Sequence, residues 1–425
     1  MIDPRLFRDA DAFAAARQRL LRRDARLAGA LDELHQLAER RRKAIAEGDA
    51  LKADQNAKSR QVGELKKQGA DATALLAELG ELSTKAAEAQ AQAARLDEAF
   101  QDRLLGIPNL PADDLPDGER HEEVRSWGEP AAKQAWHEPH WETGKRLGML
   151  ELERGSKIAG SGYPLFVGMG ARLARALVTY LLDLATRELG YTEVAPPLLV
   201  NRQTMTGTGQ LPKFEEDLFR TEPDDLFLLP TAEVPVTNIH RGEMLAAEQL
   251  PMRYCAYTPC FRREAGSAGK DTRGILRVHQ FDKVELVWLT APEDSEATLA
   301  TLTGHAETAL QRLGLPYRVL KLAAGDFSFA SHRTFDLEVW SPGVEKWLEV
   351  SSCSTFTDYQ ARRLDLRFRR PGGKPEFVHT LNGSMLGLAR VWIAIVENGR
   401  QSDGSIRVPD VLVPLMGTDR IGART

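Results

Sequence analysis

Residues 229–240 read LPTAEVPVTNIH, and residues 260–285 read CFRREAGSAGKDTRGILRVHQFDKVE. Strand-like apolar runs alternate here with a tight polar group centred on Phe261, Arg262, Arg263 and Glu264. A loop rich in glycine and charge follows at 265–274, and the chain returns through Arg277, Val278, Phe281 and Glu285. Arginine binds planar anions bidentately, and Arg262, Arg263, Arg273 and Arg277 all fall within this one predicted hairpin, interleaved with Glu264 and Glu285. Two strands joined by a polar loop suit a cleft that admits a triphosphate and closes on it. Residues i and i+2 of a strand share a face, so Arg262 is expected beside Glu264 and Lys283 beside Glu285, a surface able to take an anion and an amine together. The alternative is an exposed hairpin whose charges are simply solvated.

Outward from the hairpin, 425 residues with 42% apolar and 28% charged side chains describe an ordinary globular protein of two or three domains. The first residues, MIDPRLFRDADAF, carry charge early, and no apolar run approaches the roughly 18 residues of a membrane span, so neither a signal peptide nor a membrane segment is expected and the location is read as cytoplasmic. Cys255, Cys260 and Cys353 are too few for a disulfide framework and are spaced unlike a structural zinc site, so they are expected as buried strand residues, with no zinc.

The net charge of −5 conceals a local pattern. Residues 17–67 hold 14 Lys or Arg against 8 Asp or Glu, and residues 71–102 hold 2 against 7. Both segments carry heptad spacing: Leu27, Leu31, Leu34, Ala38, Arg41 and Ile45, resuming out of phase at Leu51, Gln55, Lys58, Val62 and Leu65; then Leu75, Leu79, Leu82, Ala86, Ala89, Ala93, Leu96 and Phe100 without a break. Residues 67–71 are short enough to force an antiparallel turn. A helical hairpin over 1–105 is therefore predicted, its first helix about 60 Å long at 1.5 Å per residue. Such an arm is either a spacer or dimerisation coiled coil, or, because Arg40-Arg41-Arg42-Lys43 and the positive excess lie on one helix, a rail for phosphates.

The segment 106–130, rich in Pro, Gly and acid, reads as a linker region opening a second domain, 106–425. An amphipathic helix is expected over 170–188 with Leu173, Leu177, Tyr180, Leu181 and Leu184 on one face, then a strand reaching Pro196-Pro197. A further helix over 292–313 and strands at 317–322, 335–340 and 347–350 give an α+β class: an antiparallel β-sheet flanked by helices. No GxGxxG or Walker sequence is present to bind a nucleotide in the usual α/β manner.

These residues carry a resemblance. Residues 255–285, with Phe261-Arg262-Arg263-Glu264 and Arg277, resemble motif 2 of the class II aminoacyl-tRNA synthetases. Residues 170–199 with Pro197 resemble motif 1, and 380–397, with Gly387-Leu388-Ala389-Arg390, resemble a glycine-poor motif 3. Thr206-Gly-Thr-Gly-Gln210-Leu-Pro-Lys-Phe214, Pro230-Thr-Ala-Glu233, Glu349-Val-Ser-Ser-Cys353 and Thr380-Leu-Asn-Gly-Ser384 are similar to the seryl-tRNA synthetase family of the bacterial type.

The resemblance implies ATP-dependent activation of L-serine to seryl-adenylate and transfer to the 3′ end of serine tRNA, with selenocysteine tRNA a further acceptor. It also implies a homodimer built on motif 1, although the helix could equally be an internal core helix. Arg262 and Arg390 are implied as catalytic. The ATP site is implied to include Arg262, Arg263, Glu264, Val278, Glu349, Val350, Ser351, Ser352 and Arg390. The serine pocket is implied to include Thr231, Ala232, Glu233, Arg262, Glu285, Asn382 and Ser384. Mg2+ is implied at Glu349 and Ser352, hard oxygen donors suited to that cation. Two other readings stand beside this one: a ligase loading a carrier protein, whose relatives lack a long helical hairpin, and a non-catalytic RNA-binding paralogue, expected to have lost Arg262, Glu264, Glu349 or Arg390.

Overall fold

A computed structural model of the chain describes residues 1–265 and 273–422. In it the quoted hairpin becomes two long antiparallel strands at the heart of an eight-stranded sheet. In chain order its strands are β1 (Glu122–Trp127), β2 (Thr192–Glu193), β3 (Met252–Phe261), β4 (Gln280–Thr290), β5 (Tyr317–Lys321), β6 (Arg333–Ser341), β7 (Lys346–Thr357) and β8 (His379–Gly387). Their spatial order is β1-β5-β6-β7-β8-β4-β3-β2. The helices of the same unit are α4 (His140–Arg146), α5 (Leu152–Ala159), α6 (Met169–Asp183), α7 (Arg202–Thr208), α8 (Glu233–Thr237), α9 (Ser295–Arg312), α10 (Tyr359–Leu364), α11 (Leu388–Asn398) and α12 (Val413–Met416), after α1 (Ala10–Arg23), α2 (Leu27–Lys67) and α3 (Thr73–Leu105) of the first unit.

The period-2 pleat assigns the two faces of the sheet. Val284, Leu286 and Trp288 of β4 point into the main core with Leu173, Leu177 and Leu181 of α6, Leu299 and Leu302 of α9, and Val391 and Trp392 of α11. Lys283, Glu285, Val287 and Leu289 point the other way. There α8 covers Val287 through Ala232 and Val236, α10 covers Leu289 through Ala361 and Leu364, and the remainder of that face is left as a cleft.

The α+β class with its largely antiparallel sheet is as expected, and several finer expectations are corrected. Every strand pair of the sheet is antiparallel except β2 with β3, and β2 is only two residues long. Gly190, at φ +74°, turns the chain into it, and the prolines at 196 and 197 have no N–H to extend the ladder. The stretch read as a linker opening the second domain is packed structure of the second unit from Pro111. Ala112 and Leu115 pack on Ala324, the Ala112 N–H donates to the His332 carbonyl, and 122–127 is the edge strand β1. Its proline content announced an absence of helix, not an absence of packing. The heptad expectation fails at Ile45, which is 36% exposed, whereas Ala44 and Gly48 are buried. A three-residue step from Arg41 to Ala44 absorbs the phase shift, and Gly48 lies against the backbone of Ala89 and Gln90.

The first unit, Met1–Leu110, is the expected helical hairpin of α2 (Leu27–Lys67) and α3 (Thr73–Leu105), with one more helix, α1 (Ala10–Arg23), that the spacing did not reveal. Opposite charges pair across the hairpin: Arg41 with Asp97, Lys58 with Glu78 at 3.0 Å, and Arg103 with Glu33 at 2.8 Å. Phe100 closes the seam against Phe7, edge to face, with the rings 5.6 Å apart.

Candidate active site

The cleft occupies about 370 Å³ on the polar face of the sheet. Two strands would normally offer it every second residue, but β-bulges change the parity. One interrupts β7 between Glu349 and Ser351, and one interrupts β8 between Ser384 and Leu386. Glu349 and Ser352, three apart, therefore line the same cavity, as do Ser384 and Gly387.

The deep end is polar and buried. Lys283 and Glu285 form an ion pair, both under 9% exposed. The Lys283 ammonium also donates to Thr231 Oγ1 at 2.8 Å, and Asn382 donates to Glu285 at 3.0 Å. Thr231 sits at the turn before α8, where its Oγ1 accepts from the Glu233 N–H at 3.2 Å and donates to Glu285 at 3.4 Å. Glu233 accepts from Gln360 Nε2 at 2.7 Å. Gln360 is itself held by Thr380, which donates to its oxygen, and its amide also donates to the Thr208 carbonyl. Burial pushes the Glu233 carboxyl up to about 7, and the Glu285 charge adds to the rise; Gln360, Lys283 and Arg262 oppose it.

The solvent-facing end carries the arginines. Beyond the last ladder pair, Phe261 with Gln280, the Arg262 N–H donates to the His279 carbonyl. The expectation that Arg262 and Glu264 share a strand face is corrected: β3 ends at Phe261, and Glu264 has a left-handed φ of +52°. Both still line the cleft, because the turn rather than the pleat brings them there. Arg262 stacks 5.1 Å from the Phe281 ring centroid and donates to the Pro230 carbonyl, and Arg277 pairs with Glu264. Arg390, in the first turn of α11, donates to the Leu276 carbonyl at 3.3 Å and to the Glu349 carbonyl at 2.8 Å.

Of the expected residues, Thr231, Glu233, Arg262, Glu264, Val278, Glu285, Glu349, Val350, Ser351, Ser352, Asn382, Ser384 and Arg390 line this one cleft. Two do not. Ala232 is fully buried in the packing of α8 on Val287, and Arg263, the residue after Arg262 in the turn, is exposed outside the cleft with its N–H bound to the Asp217 carbonyl. The Ser351 hydroxyl is spent on the Ser384 carbonyl. Sequence reading noted Lys283 and Phe281 in the hairpin without assigning them to the site, and left out Gln360. The first two stood at strand spacing from Glu285, whereas Gln360 had no local signal. Residues 266–272 of the expected loop lie outside the described residues. The three cysteines are buried and free.

A model of the "tRNA synthetase class II core domain (G, H, P, S and T)" matches residues 213–399, which span most of this cleft, so the site is that of a class II aminoacyl-tRNA synthetase. The "seryl-tRNA synthetase N-terminal domain" matches residues 1–111. A serine-tRNA ligase of Geobacillus kaustophilus is 51% identical over 98% of this chain and 99% of its own. Among solved structures, a seryl-tRNA synthetase of Pyrococcus horikoshii complexed with ATP has a TM-score of 0.94 at 32% identity, covering 100% of both chains. A cytoplasmic serine-tRNA ligase of Naegleria fowleri in complex with AMP has a TM-score of 0.88 at 30% identity, covering 100% of this chain and 99% of that one. The chain belongs to the seryl-tRNA synthetase family and is an aminoacyl-tRNA ligase.

Proposed function

We propose that the cleft activates L-serine with ATP and passes the seryl group to serine tRNA, with selenocysteine tRNA as a second acceptor. A serine carboxylate oxygen attacks the α-phosphorus as the bond to the bridging oxygen breaks and pyrophosphate leaves. A hydroxyl of the 3′-terminal ribose then attacks the seryl carbonyl and AMP departs. Such chemistry depends on alignment and charge neutralisation more than on proton transfer. The observation that carries this reading is the division of the cleft into a buried end with two carboxylates, Glu233 and Glu285, and an exposed end with Arg262 and Arg390.

In this reading the serine ammonium lies against Glu233 and Thr231. Its hydroxyl lies against Glu285 and Ser384, with Asn382 orienting Glu285. Arg262 takes the serine carboxylate and the α-phosphate, Glu264 the adenine, and Arg390 the γ-phosphate. Val278 and Val350 form apolar walls. A site that bonds the hydroxyl leaves buried groups unpaired with alanine, a discrimination on the order of 10⁴, whereas threonine is excluded only by room for one methyl.

Among the described residues no group of three or more His, Cys, Asp or Glu is placed to hold a metal. The donor set at Glu349 and Ser352, a carboxylate and a hydroxyl on one wall, instead fits a Mg2+ shared with phosphate oxygens. When bound, the ion would neutralise phosphate charge, and Glu349 and Ser352 would hold it.

Arg40 and Lys43 project from α2 into solvent, and this supports the arm as the surface for the long variable arm of the tRNA. Leu198 and Leu199, 42% and 45% exposed at the end of motif 1, support a homodimer face there. No helix among the described residues is long and apolar enough to cross a membrane. The cytoplasmic location belongs to the same reading, because serine tRNA is charged where protein is made. Serine-dependent exchange of pyrophosphate into ATP, without tRNA and with threonine, alanine and glycine as competitors, tests the whole reading. Exchange with serine alone is expected, and exchange with none of the four would overturn it.

A further inference from the structure

Arg390 and Glu397 stand seven residues apart on α11, two turns along one face of the helix. Both reach the same short segment of chain, the returning leg of the motif 2 hairpin. Arg390 does so directly, donating from Nε to the Leu276 carbonyl at 3.3 Å. Glu397 does so through His140, the first residue of α4. Its Oε1 accepts from the His140 N–H at 2.8 Å and pairs with His140 Nδ1 at 3.0 Å, while His140 Nε2 accepts from the Ile275 N–H at 3.1 Å. A ring nitrogen that accepts from an amide carries no proton, so the imidazole is neutral with its proton on Nδ1, donated to Glu397.

Every group in this relay is buried: His140 and Ile275 at 0% and Glu397 at 1% exposure. Glu397 Oε2 is fixed by the Ser341 hydroxyl and by the N–H groups of Gly343 and Val344, so the carboxylate has no freedom to turn. The rest of the first turn of α4 grips the same leg. Gly274 lies so close that a Cβ there would stand 2.2 Å from His140 Nε2, and Arg273 stacks 4.8 Å from the Trp141 ring centroid. Ile275, Leu276, Arg277 and Val278 are one wall of the cleft.

We infer that His140 is a positioning residue for the nucleotide end of the cleft: backed by Glu397, it fixes the Ile275–Leu276 backbone, and through the Leu276 carbonyl it sets the direction of the Arg390 guanidinium. The inference rests on the reading of Arg390 and this wall as the ATP site. It follows that α11 holds the leg at two points, and that removing one lets the wall and Arg390 drift together while the serine end, built on α8, β4 and β8, stays in place.

The test uses the full chain with His140→Asn, which can still face Glu397 but is too short to reach Ile275, and His140→Gln, whose amide oxygen can accept from the Ile275 N–H. In serine-dependent exchange, His140→Asn is expected to raise KM for ATP about tenfold with KM for serine within about twofold, and His140→Gln to restore most of the loss. Equal rises in both KM values, or indistinguishable Asn and Gln variants, would overturn the inference. The same contrast is read as the Kd of a non-hydrolysable ATP analogue without serine, so a chain that binds the analogue yet exchanges with no amino acid refutes the functional reading while the variants still decide the role of His140. In the unmodified protein the Ile275 amide should exchange slowly with deuterium without nucleotide. Rapid exchange there would also count against the proposal.

Discussion

Glu233 carries opposing demands in a single side chain. Its folded pKa of about 7 lies above the ordinary carboxyl value of 4.5, so folding favours the protonated form. The stabilisation this gives is complete below about pH 4.5 and is lost as pH rises through about 7. Glu233→Gln is therefore expected to be more stable than the parent by about 2–3 kcal/mol at pH 8 and similar to it at pH 4.5, read by denaturant midpoints at both pH values. The same change should raise KM for serine by about 100-fold or more, because an ammonium needs the carboxylate. In the parent, kcat/KM for serine should climb with pH up to about 7 and then level off, and a flat profile from pH 5.5 to 8 would remove Glu233 from the ammonium site. The neighbouring arginines make a second contrast at this scale. Arg262→Ala should lower serine-dependent exchange by about 10²-fold or more, whereas Arg263→Ala, outside the cleft, should leave it within about threefold. The tetrad showed both arginines in sequence, and only the turn after Phe261 separates them.

At the scale of elements, the two bulges matter more than any propensity. The residues of β7 were legible as a strand, but regular alternation would send Glu349 and Ser352 to opposite faces. The extra residue between Glu349 and Ser351 joins them, and that depends on how β6 and β8 pair on either side. The arm shows the reverse case. Heptad spacing and a short turn, both local, were enough to predict the hairpin of α2 and α3. Spacing showed a phase break before Leu51 but not its place, the stammer at Ala44 and Gly48, which depends on how closely a partner backbone can approach. Reversing exposed charges with Arg40→Glu and Lys43→Glu is expected to raise KM for tRNA about tenfold or more at 0.15 M salt, to weaken the salt dependence of charging, and to leave exchange without tRNA unchanged. Unaltered charging would return the arm to a spacer.

For the whole molecule, contacts divide the chain into Met1–Leu110 and Pro111–Thr425, each with its own packed interior. Because the cleft is built wholly from the second unit, replacing residues 31–96 by a short turn should preserve serine-dependent exchange and abolish tRNA charging. Loss of exchange in that truncated chain would show that activation also depends on the first unit.

Local chemistry determined much of this protein by itself. Heptad and alternating patterns, turn residues and the Arg-Glu tetrad are read by neighbours a few positions away, so the arm, the central hairpin and the α+β class followed from the sequence, while most of the cleft was named only through the resemblance its motifs carry. Tertiary structure alone decided which side of a strand faced the cleft after each bulge, that the proline-rich stretch forms an edge strand, that Ala232 and Arg263 stand outside the cavity, and that Gln360 and His140 brace it. The last of these outcomes depends on hydrogen bonds between residues more than a hundred positions apart, Gln360 with Glu233 and His140 with Glu397, and no local period records such a pairing.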